Sequence, residues 1–62
     1  MKELKTMYKL EIDYLENGKT FARMAEEYKT IEEAVNALGK VRLVMELNDD
    51  IFMAHKIEEV LR

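Results

Sequence analysis

Sixty-two residues, 48% hydrophobic and 37% charged, with no proline and two glycines, form a folding composition that is too small for more than one domain and too apolar for a disordered tail. The absence of cysteine excludes disulfides and zinc–thiolate sites, and a net charge of −3 gives no electrostatic case for a nucleic acid or an anionic membrane as partner. A chain this short buries only about 60% of its unfolded surface, so close packing or self-association has to supply the stability that cross-links do not.

MYKLEIDYL, residues 7–15, alternates cleanly. Tyr8, Leu10, Ile12 and Tyr14 point one way, and Lys9, Glu11 and Asp13 the other, which predicts a half-buried strand. ENGK, residues 16–19, then reads as a hairpin turn, because Asn17 and Gly18 both tolerate positive φ. A second strand follows over about 19–29. A two-residue loop would oppose Ile12 to Arg23 and Leu10 to Ala25. A three-residue loop with Gly18 in a left-handed bulge would oppose Ile12 to Ala22, Leu10 to Met24 and Glu11 to Arg23. The second register matches apolar groups and opposite charges, and it is preferred. The competing reading of FARMAEEY is a helix, by propensity.

Thr30 followed by Glu33 matches a capping box, and Glu32 and Glu33 suit the positive end of a helix. Ile31, Ala34, Val35, Leu38, Val41 and Met45, flanked by Ala37 and Val44, fall on one stripe and predict a helix over 30–47. Gly39 interrupts the run at a cost of only about 1 kcal/mol.

NDDIFMAHKIEEVLR, residues 48–62, is ambiguous. As a helix it would be capped by Asp49 or Asp50 and gather Met53, Ala54, Ile57, Val60 and Leu61. As a strand over 51–58 it would place Ile51, Met53, His55 and Ile57 on one face. Length decides. A helix of about 17 residues spans roughly 25 Å, the length of a strand of about eight residues. The helix therefore returns the chain, through a short loop at 48–50, to where a third strand starts. A lone hairpin is a poor platform for a helix. The expected fold is α+β, ββαβ, with an antiparallel sheet in the order 2-1-3 and the helix on one face; ββαα is the alternative. The expected core is Tyr8, Leu10, Ile12, Tyr14, Ala22, Met24, Ile51, Met53 and Ile57 beneath the helix stripe.

The other sheet face would carry Lys9, Glu11, Asp13, Arg23 and Lys56, but also Met7, Leu15, Phe21, Phe52 and Ala54. Those apolar groups exceed what a solvated face needs and predict an interface, with a symmetric homodimer as the simplest partner. Chemistry is otherwise sparse. His55 with Asp49 or Asp50 lacks any metal-site or acid–base spacing and reads as a surface histidine. There is no serine or cysteine nucleophile, and neither glycine belongs to a phosphate loop. The acidic pairs Glu26-Glu27, Glu32-Glu33, Asp49-Asp50 and Glu58-Glu59 are interspersed with cations and read as solvated faces. Met1, Met7, Met24, Met45 and Met53 read as core fillers, or else as an adaptable binding surface.

No residue is expected to be catalytic, metal-binding or cofactor-binding. No apolar run approaches the roughly 18 residues of a membrane span, and MKELKTMYKLEID lacks the apolar segment of a signal peptide. These features read as a cytoplasmic, non-catalytic protein–protein interaction or regulatory domain, self-associating through the open sheet face or a sheet edge. The alternative is an inhibitor encoded by a phage or mobile element, occupying the nucleic-acid site of a host effector through its carboxylates.

Overall fold

The computed structural model describes residues 3–47 and 50–62. Its elements are β1 (Thr6–Glu16), β2 (Lys19–Tyr28), α1 (Ile31–Met45) and β3 (Ile51–Leu61). The three strands form one antiparallel sheet in the order β2-β1-β3, with α1 on one face, which is the ββαβ arrangement. The 51–61 segment is a strand. The two-helix alternative is excluded, and with it a helix cap at Asp50; Asp49, the other capping candidate, lies outside the described residues.

The hairpin register differs from the preferred one. Asn17 and Gly18 both have positive φ, 53° and 76°, and make a two-residue turn between the paired Glu16 and Lys19. The register then shifts between Leu15, opposite Thr20, and Tyr14, opposite Ala22, leaving Phe21 as the extra residue of a β-bulge. Beyond it Ile12 faces Met24, Leu10 faces Glu26, and Asp13 rather than Glu11 faces Arg23. The bulge restores the side-chain parity that a plain two-residue loop would have reversed. Ala22 and Met24 therefore lie on the same face as Leu10 and Ile12, although two positions from the expected pairing.

α1 starts where the capping box places it. Thr30 is the N-cap, and its side-chain oxygen accepts from the Glu33 backbone N–H at 3.2 Å. The helix runs through Gly39 without a break. Leu10, Ile12, Ala34 and Leu38 are buried, and Tyr14, Met24, Tyr28, Ala37, Val41, Met53 and Ile57 pack around Leu10, Ile12 and Leu38.

The core is narrower than the sequence implies. Ala22 is exposed, and Tyr8 and Ile51 are only half-buried. Strand lengths explain this. Eleven residues of β1 or β3 extend about 36 Å, whereas fifteen helical residues cover about 22 Å. The helix is therefore too short to cover the full length of the sheet. It also leaves part of its own stripe bare, since Ile31 and Val35 are 47% and 51% exposed.

Candidate functional site

The two long sides of the helix differ. On the β2 side, Met24, Ala37 and Val41 floor a groove of about 600 Å³ whose rim is polar: Glu26, Tyr28, Glu33, Asn36 and Lys40. The Tyr28 hydroxyl donates to Glu26 at 2.5 Å, and this bond with partial burial pushes the Tyr28 pKa up. On the β3 side the flank carries exposed apolar residues beside Arg42. Helical spacing sets Ile31 and Val35 on the flank that carries Arg42, and the Arg42 guanidinium lies 3.5 Å from both ring nitrogens of His55 on β3. Below that flank β3 presents Ile51, Met53, His55, Ile57, Glu59 and Leu61 on the helix side of the sheet.

The open face is a charge lattice. Asp13 and Arg23 pair across β1 and β2, with Nε to Oδ1 at 2.5 Å; Lys9 reaches Glu11 at 2.9 Å along β1; Lys56 reaches Glu58 at 2.6 Å along β3. The Arg62 guanidinium holds both carboxylate oxygens of Glu27, tying the two outer strands together. The hydrogen bonds from Arg62 and from Lys56 hold the Glu27 and Glu58 carboxyls below the usual carboxylate range. The same bonds raise Arg62 and Lys56, and the Asp13 bond raises Arg23.

This lattice separates the apolar residues expected to form one patch. Leu15 and Phe52 face each other at the hairpin end of the sheet, with Ala54 two positions along β3. Met7 sits at the other end, opposite Val60. Phe21, displaced by the bulge, has its ring 6.4 Å from that of Tyr14, a residue packed against the core under α1. Phe21 and Phe52 remain 57% and 67% exposed. His55 neighbours Arg42, a cation, which opposes metal binding there. Asp49, one of its two possible acidic partners, lies outside the described residues. No cluster of three or more metal-ligating side chains occurs among the described residues, and no described helix is long and apolar enough to cross a membrane.

The feature that sequence reasoning missed is the outer edge of β3. Lys5 and Arg62 exchange both backbone hydrogen bonds, Lys5 N–H to Arg62 C=O at 2.8 Å and Arg62 N–H to Lys5 C=O at 2.9 Å. The antiparallel ladder alternates, and the β1–β3 register runs unshifted from Thr6–Leu61 to Glu16–Ile51. The even-numbered residues of β3 therefore bond to β1, and Ile51, Met53, His55, Ile57, Glu59 and Leu61 direct their N–H and C=O groups outward. This edge is eleven residues long and carries no bulge and no proline. The β2 edge, by contrast, is interrupted by its bulge, a common protection against edge pairing.

No family model, no curated protein and no solved structure matches this chain.

Proposed function

We propose that the chain is a small, non-catalytic protein–protein interaction domain that works by associating with a second copy of itself. One observation carries this reading. The chain exposes 5097 Å², whereas a folded monomer of 7.4 kDa exposes about 4,200 Å². The excess, about 900 Å², is close to the roughly 800 Å² that each partner contributes to a specific interface of standard size. The radius of gyration of 13.7 Å against about 11 Å for a compact chain of this length points the same way. Four buried side chains among the described residues are a small core for a domain without cross-links, and a partner covering the exposed flank would enlarge it.

For an inhibitor acting through free carboxylates the support is only the modest net charge of −3, and Glu27 and Glu58 of its acidic pairs are ion-paired within the chain. The test is solution mass by light scattering across a concentration series. A mass rising to twice the chain mass is expected. A chain that stays monomeric to the highest soluble concentration would overturn the reading.

A further inference from the structure

We infer that two copies pair antiparallel through the outer edges of β3, with the two-fold axis at Ile57, to give one six-stranded sheet with both helices on the same face. The inference rests on the self-association proposed above and names the surface and register that accomplish it.

The edge argument is one of backbone satisfaction. Six consecutive odd-numbered residues, Ile51 to Leu61, direct donors and acceptors outward along a regular strand, with no backbone partner among the described residues. With the axis at Ile57, an antiparallel copy of the same edge satisfies five of them, Met53 to Leu61, symmetrically, because each odd residue then meets an odd residue and exchanges two hydrogen bonds with it.

Side chains select the register. An axis at Lys56 opposes Lys56 to its own copy, and axes at Glu58 or Glu59 oppose like carboxylates; each arrangement is unfavourable. An axis at His55 opposes Glu58 to Phe52 and Glu59 to Ile51. An axis at Ile57 opposes Lys56 to Glu58, His55 to Glu59, Met53 to Leu61, Ala54 to Val60, Phe52 to the terminal Arg62, and Ile57 to itself. Of these alignments, only the last opposes Lys56 to a carboxylate while bringing apolar pairs onto both faces of the sheet.

The helix layer agrees with it. Adjacent strands are about 4.8 Å apart, so the two β1 strands would lie about 14 Å apart, each roofed by a helix of about 10 Å diameter. The flanks turned toward each other carry Arg42 with Ile31 and Val35, the latter two half-exposed in the single chain. Leu61, 62% exposed, lies on the same face of β3 beneath them. The polar-rimmed groove beside β2 stays outside this interface.

The chain contains no cysteine, which makes the register testable by cross-linking. In the proposed sheet Lys56 and Glu58 of opposite copies form a non-hydrogen-bonded pair with Cα atoms about 4.5 Å apart, within disulfide range. Lys56 and its own copy are diagonal neighbours at about 7–8 Å, beyond that range. Lys56→Cys and Glu58→Cys are to be oxidised separately and as an equimolar mixture. Abundant covalent dimer in the mixture, several-fold above either variant alone, is expected. A parent that is dimeric by light scattering, with no such excess in the mixture, overturns this inference and leaves self-association standing. A monomeric parent overturns both.

His55→Pro is an independent check. Its N–H points outward, so proline there spares the β1 ladder and removes a donor only from the proposed interface. A monomer with the parent's circular dichroism is expected, and a His55→Pro variant that remains dimeric overturns the edge assignment.

Discussion

Glu27 and Glu58 are surface residues, yet each is held ionised by a cation placed by the sheet register. Arg62 does this for Glu27 and Lys56 for Glu58. Both carboxyls titrate below their ordinary value near 4.5 in the folded chain. In the unfolded chain they bind protons more readily, so their contribution to stability is complete above that value. It is lost as pH falls through the lowered folded pKa. The expected outcome is a decline of the urea midpoint as pH falls below the ordinary carboxylate range, reduced in about 1 M salt because the pairs are exposed and screened. Glu27→Gln with Glu58→Gln should flatten that limb. Denaturation series at several pH values check this, and an unchanged acid limb in the double variant would show that other carboxylates govern it. The raised Lys56 and Arg62 have the opposite sign, with a contribution lost only at strongly alkaline pH.

The two glycines show how differently one residue type serves two elements. Gly18 sits at φ 76° in the hairpin, where an added Cβ meets no atom but the backbone itself is unfavourable for an L-residue. Gly39 sits inside α1 with nothing beyond its own helix backbone within 4 Å of an added Cβ among the described residues, and no positive φ. Gly18→Ala should therefore destabilise by about 1–2 kcal/mol, and Gly39→Ala should stabilise by about 0.5–1 kcal/mol. At roughly 4–8 °C per kcal/mol for a domain this small, thermal melts resolve the two shifts and their opposite signs. A lower melting temperature for Gly39→Ala would mean that the glycine is needed for close approach of another chain.

Element boundaries and faces were legible in the sequence where alternation was strict. β1 reads directly from Tyr8, Leu10, Ile12 and Tyr14, and α1 from Thr30, Glu33 and the stripe through Leu38. The hairpin register was not legible, because Phe21 carries no local mark of a bulge. Its neighbours Thr20 and Ala22 are ordinary strand residues, and only pairing with β1 exposes the extra residue. β3 was ambiguous for a related reason. It bears apolar groups on both faces, Phe52, Ala54 and Val60 on one and Ile51, Met53, Ile57 and Leu61 on the other, which blurs period two. The outward-directed backbone of β3 was invisible, since hydrogen-bond phase depends on which residues of β1 bond to it. Of the residues expected at an interface, Met7, Leu15, Phe52 and Ala54 share the open face, but the lattice between them is a property of three strands at once.

At the scale of the whole molecule, shape and stability are one problem. A chain with principal extents of 49 × 20 × 11 Å is a thin slab, and a slab exposes too much surface for its core. If a second copy supplies the missing cover, folding and association are coupled, and stability then depends on protein concentration. The magnitude follows from entropy. Unfolding two chains of this length releases about 0.26 kcal/mol/K, and a tenfold rise in concentration is worth about 1.4 kcal/mol. The melting temperature should therefore climb by about 5 °C per tenfold rise in concentration. A dilution series followed by circular dichroism measures it directly. His55→Pro run at the same concentrations should show no such slope, since a chain that melts alone has none. A parent whose melting temperature is flat across the series would mean that the slab is stable by itself, and its bare β3 edge would then have to be tolerated as exposed surface.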